Sequence, residues 1–339
     1  MDCKQFFRKM IKVTLPLSLG VILLWYLYRN QDLVEMMNII KKGVRYDIIL
    51  FSLIFGLLGN VIRGLRWSLL IDSLGRRVSR ANAILAVLGN YAINMALPRV
   101  GEIWRCGVIS KYEKIRFTKL LGTLFVDRFM DTFVVGTLTL CLCVFNIGFF
   151  RHFFDENPPL FIETCYRIAA SVWTYIVLAF IVLLVWFVFA RLKHLSFVQK
   201  TAGVIINIME GVKSLWKNKN KIRFFVQTAL IWCCYFLYFY ITFFAFDFMK
   251  DLSVRIALIA FVMSSIGVAA PIQGGIGVWH FMVIFTLVAF GVNTNDAGAF
   301  AMVVFAVQTV WAVLVGLLGI AALPLINREK NVSEKDFEE

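Results

Sequence analysis

The chain has 339 residues, of which 60% are hydrophobic and 17% charged, with a mean hydropathy of +0.78 and a net charge of +14. Soluble domains carry about 25% charged residues, and apolar runs of bilayer-spanning length, roughly 20 residues, recur along this sequence. A soluble enzyme or nucleic-acid-binding module is excluded, and one all-α polytopic membrane domain is expected over 1–339, with its core at 10–325 and a cytoplasmic tail at 326–339.

The N-terminal "MDCKQFFRKMIK" leads into an apolar run at 13–28, and the following "RNQDLVEMM" lacks a small-residue cleavage pattern. The run therefore reads as a retained span and not a signal peptide. A second span is expected at 47–71. It ends in "NVIRGLRW" (60–67), with Asn60, Arg63 and Trp67 on one face. Arg63 lies a turn deeper and is a site candidate, whereas Arg66 reads as an anchor reaching back to the interface.

Residues 81–97 hold no charge but run straight into "PRVGEIWR" (98–105). A break at Pro98 would start a new helix near Gly101, whose N-terminus favours anions. Arg99 sits at that break, able to grip a phosphate through two parallel hydrogen bonds. Glu102 falls in the first turn and can pair with Arg105 three residues on. Asn90 and Asn94, four apart and flanked by apolar residues, are expected to hydrogen-bond across helices.

The next span, 118–148, carries "LFVDRFMDTFVV" (124–135). Asp127 and Asp131 share a helix face and Arg128 is three residues from Asp131. Three charges in five residues form either a bundle-facing structural network or a functional site. Spans at 168–190, 224–246 and 297–323 complete a set of six. The segment 197–216, with Phe197, Val204, Ile208, Val212 and Leu215 on one helical face and Lys213, Lys217 and Lys219 close by, reads either as a helix on the anionic inner leaflet or as carrying charge that only sets topology.

Residues 256–270 and 278–291 reach only about 20–23 Å, short of the ~30 Å hydrocarbon core. Between them "APIQGGIGVWH" (270–280) supplies Gln273, Gly274, Gly275, Gly277 and His280. The glycines allow close backbone approach before a helix beginning near Val278, and His280 reads either as titrating or as a satisfied structural histidine. Loop charge favours re-entry: 191–223 carries eight Lys/Arg against one Glu, while 149–167 and 247–255 carry two each. Positive-inside then places both termini in the cytoplasm, with 81–110 dipping in from inside and 256–291 from outside. Two oppositely directed re-entrant hairpins point to an inverted repeat, inferred from topology alone. The seven cysteines read as soft apolar fillers, and no metal-ligand, nucleotide-binding or hydrolase motif is present.

The ordered series Asn60, Arg63, Arg66, Trp67; Asn94, Pro98, Arg99, Gly101, Glu102, Arg105; Asp127, Arg128, Asp131; and Pro271, Gly274, Gly275, Gly277, Val278 resembles the integral-membrane flippase-like family. That family includes the transmembrane domain of lysylphosphatidylglycerol synthases, and the resemblance covers about residues 10–325. Two departures stand out: Asp127-Arg128 replaces a common Glu-Arg, and His280 stands where an acid is common. The resemblance implies lipid translocation between leaflets and, with no synthase domain here, not aminoacyl transfer.

The expectation is a non-enzymatic transporter of the bacterial inner membrane without a cofactor. It would move an anionic phospholipid or polyprenyl-phosphate-linked glycolipid, beside a separate glycosyltransferase or synthase as partner. The alternatives are an enzyme modifying lipid headgroups, with Glu102 or Asp127 as base, and a non-transporting scaffold for such a partner.

Overall fold

The computed structural model describes residues 20–145 and 221–328 with Ser18, except for Asn30, Arg76, Pro98, Ala270 and Pro271. The expected span at 168–190, the stretch 197–216 and the start of the first span lie outside the described residues. What is described is helical, apart from an isolated bridge between Val44 and Phe246. A helical stretch at 20–28 is followed by α1 (Leu33–Lys42), α2 (Tyr46–Asp72), α3 (Arg80–Ala96), α4 (Val100–Glu113) and α5 (Phe117–Phe145). Beyond 220 come α6 (Lys221–Tyr240), extended by a 3-10 turn at Ile241–Ala245, then α7 (Val254–Ala269), α8 (Val278–Ala289) and α9 (Thr294–Ile326).

Among the described residues α2, Lys221–Ala245 and α9 are long and apolar enough to cross a membrane. Their apolar residues run all the way round, as expected of helices that meet protein on one side and lipid on the other. Leu50, Phe51, Ile54 and Leu58 of α2 and Leu314, Leu317 and Leu318 of α9 form parts of an exposed apolar belt. α5, with 29 residues, has the length to cross but carries its charges inward.

Side-chain bonds gather the helix ends into two groups. At one end Asn82, at the start of α3, bonds Glu113, which ends α4, at 2.5 Å, and exchanges two bonds with Asn327 beyond α9 at 2.7 and 3.0 Å. Arg77, Arg80, Lys111, Lys114, Arg116 and Lys221 make this end strongly basic. At the other end the amide of Arg45, before α2, donates to the Ala245 carbonyl at 2.9 Å, and that of Asp32 donates to Asn295 at 3.2 Å. Charges there are of both signs.

This arrangement fixes the two short helix pairs. α3 and α4 lie antiparallel, with Asn94 bonded to Gly101 near the turn and Asn82 to Glu113 at the base. Their hairpin opens at the basic end. α7 follows the turn after Ala245, and α8 leads within five residues to the start of α9, so their hairpin opens at the opposite end. The C-terminal half of α9, through Gly316 and Gly319, packs on α3, while Phe305 in its N-terminal half meets Trp279 and His280 of α8. The two tips meet inside the bundle: the Gln273 side chain donates to the Ala96 carbonyl at 3.5 Å, and Gly274 lies against Met95.

Candidate functional site

α5 brings Asp127 and Asp131 to one face, and both are buried. Arg66 of α2, fully buried, places Nη2 2.5 Å from Asp127 Oδ1 and 2.8 Å from Asp131 Oδ1, and Nη1 donates to Thr228 of α6 at 3.2 Å. Arg63, one turn earlier, reaches Asp131 Oδ2 at 2.7 Å and donates through Nε to the Tyr235 hydroxyl at 3.1 Å. Arg105 of α4 takes the second oxygen of Asp127 at 3.1 Å while its guanidinium lies 4.6 Å over the Trp67 ring. Each buried ion alone would cost several kcal/mol. Mutual pairing is the condition for these charges to sit inside an apolar bundle, and the pairs tie α2, α4, α5 and α6 together.

Arg128 stands on the outer edge of this cluster. Its Nη2 is 2.8 Å from Glu102 Oε1 of α4, while Nη1 reaches Asp131 only at 3.9 Å. Four arginines meet three carboxylates, leaving an excess of one positive charge. The hydroxyls of Tyr91 and Tyr235 lie 3.1 Å apart, and Tyr235 donates to Asn60 Oδ1 at 2.7 Å, forming an uncharged polar row beside Arg63.

A half-open cavity of about 1200 Å3 borders this edge. Its polar wall holds Arg63, Asn94, Arg99, Glu102, Arg128 and Asp131 with the Asn60–Tyr235–Tyr91 row. The rest is mostly apolar, from Leu57, Val135 and Leu140 to Phe239, Phe261, Phe305 and Trp311, with Thr132, Ser264, Ser265 and Gln308 among them. Arg99 adds a second unbalanced positive charge. It has a left-handed backbone (φ 63°), an uncommon and strained state for a residue with a side chain, and makes no ion pair or hydrogen bond among the described residues.

The family model described as lysylphosphatidylglycerol synthase TM region matches residues 13–316. The chain belongs to this family. A UPF0104 membrane protein of Methanothermobacter thermautotrophicus is 25% identical over 294 residues, covering 80% of this chain and 82% of the relative. Another UPF0104 membrane protein, from Methanocaldococcus jannaschii, is 29% identical over 145 residues, 41% of this chain and 42% of its own. No solved structure matches.

On this member of the family, the sequence candidates divide. Arg63, Asn94, Arg99, Glu102, Arg128, Asp131 and Gly274 line the cavity, whereas Arg105 and Asp127 stand behind it as buried support. Gln273 joins the two tips. His280 is buried against Phe305, ring centroids 4.5 Å apart, with Trp279 and Tyr28 around it, behind the cavity wall to which Phe305 and Trp279 contribute.

Several sequence expectations are corrected. Arg66 is no interfacial anchor but the centre of the ion cluster. Arg105 pairs with Asp127 and not with Glu102, which pairs with Arg128 on the neighbouring helix. Asn94 does bond across helices, its Oδ1 accepting the Gly101 amide of α4 at 2.9 Å, while its bond to Asn90, at 3.3 Å, stays within its own helix. The Val100 amide bonds Leu97, so the first amides of α4 are spent inside the hairpin and not held open for an anion. The glycines likewise serve protein contacts. A Cβ on Gly101 would lie 2.2 Å from the Asn90 carbonyl, and one on Gly277 (φ 83°) 2.8 Å from that of Gly20. The positive character of the site therefore comes from guanidinium groups more than from helix ends.

Tyr91, Tyr235 and Thr228 were missed. The available signal was weak: two aspartates one turn apart demand more than one cation, and hydroxyls near them are the natural second layer of bonds.

Proposed function

We propose that this chain is a lipid flippase-like transporter, in which an anionic headgroup enters the polar end of the cavity while its tails stay against the apolar part and the bilayer. One observation carries the reading: a half-open cavity whose polar wall holds three arginines against two carboxylates and whose remaining wall is mostly apolar. A phosphate offers the planar guanidinium forks of Arg99 and Arg128 the acceptor geometry they fit. The substrate class is an anionic phospholipid or a polyprenyl-phosphate-linked glycolipid, with a glycosyltransferase or synthase as the enzyme that makes or uses it.

In this reading the two hairpins are re-entrant, entering the bilayer from opposite faces and meeting inside it. Their lengths, 17 and 14 residues in one and 16 and 12 in the other, support this. The basic end faces the cytoplasm of a bacterial inner membrane. Headgroup modification finds less support, since Asp127 is enclosed by Arg66 and Arg105 and lies off the cavity wall.

Reconstituted vesicles with a fluorescent acyl-labelled phosphatidic acid and a phosphatidylcholine counterpart test the reading through the rate at which outer-leaflet quenching reaches the inner pool. Faster exchange of the anionic probe than in protein-free vesicles is expected, with a loss of about tenfold or more in an Arg99→Gln/Arg128→Gln variant. Wild-type vesicles exchanging no faster than protein-free ones would contradict it.

A further inference from the structure

The Arg128 fork is only half used. Glu102 meets Nη2 at 2.8 Å, Asp131 stands 3.9 Å from Nη1, and Nε is buried with no acceptor among the described residues. The two side chains of the short pair keep partial access, 35% for Arg128 and 24% for Glu102, and both line the cavity. Other charge pairs of the cluster do not: Arg66, Arg105 and Asp127 are wholly enclosed. Glu102 and Arg128 also belong to different units, one to the α3–α4 hairpin and one to α5.

We propose that Glu102 is a built-in stand-in for the substrate phosphate, a latch that occupies Arg128 in the empty protein and that an incoming phosphate displaces. This rests on the headgroup reading above. A carboxylate holding one arm of a guanidinium is a poorer partner than a phosphate that accepts from two of its nitrogens at once. Arg99, which has no partner among the described residues, supplies a second positive charge on the same cavity wall, toward which the remaining phosphate oxygens can turn. Release of Glu102 frees the α3–α4 hairpin from α5 at this point, while the Arg105–Asp127 pair keeps the two elements joined deeper in. The latch thus couples filling of the site to loosening of one hairpin, and the resting site is closed to weaker anions.

The latch makes a prediction opposite in sign to that for an ordinary binding residue: removing the Glu102 charge tightens phosphate binding. Calorimetric titration of the detergent-purified full chain uses dihexanoyl phosphatidic acid and, separately, glycerol 3-phosphate, the same headgroup without tails. Glu102→Gln is expected to bind the lipid about threefold tighter than wild type, the size of a partly exposed ion pair relieved. Arg128→Gln is expected to lose about tenfold or more. Glu102→Asp, which keeps the charge on a shorter arm, falls between wild type and Glu102→Gln, and melting curves matching wild type establish that each variant is folded. Loss in Arg128→Gln with unchanged or weaker binding in Glu102→Gln overturns the latch alone. Unchanged binding in Arg128→Gln overturns the headgroup reading beneath it. Glycerol 3-phosphate bound as tightly as the lipid, with the same ranking of variants, supports the latch and overturns a lipid as its ligand.

Discussion

Arg66 donates to both aspartates of α5, and Asp127 in turn holds Arg105, so no member of this cluster can be removed without leaving another buried and short of a partner. Loss of one partner of a buried pair typically costs about 3–5 kcal/mol. Arg66→Ala is therefore expected to lower stability by that order, read as a fall in the thermal midpoint in detergent. Arg45→Ala, which removes an exposed pair with Asp47, should cost less than about 1 kcal/mol. Equal effects would contradict the view that the inner pairs hold the helices together. At this scale the sequence was only partly legible. It identifies which charges lie in apolar runs, because hydrocarbon tolerates so few. It does not identify their partners, because spacing reports only neighbours one turn apart on one helix. Glu102 with Arg105, and Arg128 with Asp131, are such neighbours, yet crossings of α4, α2 and α5 decide the pairs instead.

At the scale of the element, the α3–α4 hairpin depends on backbones that touch. Gly101 sits against the Asn90 carbonyl, and a methyl there would stand at 2.2 Å, so the two helices would have to part. Gly101→Ala is expected to destabilise the protein by on the order of 2 kcal/mol or more. Gly107, with nothing within 4 Å of a Cβ, is the control on the same helix. Gly107→Ala is expected to be neutral or to stabilise by up to about 1 kcal/mol through helix propensity. Melting temperatures falling in that order would agree; a neutral Gly101→Ala would contradict the close crossing. The long apolar elements were plain in the sequence, since the expected spans 47–71, 118–148 (described as far as 145), 224–246 and 297–323 are occupied by helices whose described ends differ by a few residues. The helix α1 was not. It is short, capped by Asp32 and closed by Gly43, and its apolar Leu33, Val34 and Met37 lie among charges in a stretch with no span-length signal.

For the whole molecule, the two hairpins divide the interior between them. One opens at the basic end and packs on the C-terminal half of α9; the other opens at the opposite end and packs on its N-terminal half. Their tips meet beside a cavity that is charged where Arg63, Arg99 and Arg128 face it and mostly apolar beyond. Two short helix pairs that open at opposite ends were legible because apolar runs of 14 to 17 residues are broken there by Pro and Gly, and because the basic loops gather at one end. That the first amides of α4 would be consumed internally did not follow, since it depends on the Asn94 side chain reaching Gly101 across the hairpin turn. The central claim is that each hairpin enters and leaves the membrane on the same face, the two from opposite sides. In a cysteine-free variant, single cysteines at Leu74 and Tyr112 flank the first hairpin, and at Leu252 and Asn293 the second. Labelling of intact cells and of opened cells with a membrane-impermeant maleimide should mark Leu74 and Tyr112 only from the cytoplasm, and Leu252 and Asn293 only from outside. Labelling of Tyr112 from outside would make α3–α4 a full crossing, and the cavity between the hairpin tips would lose its place in the membrane.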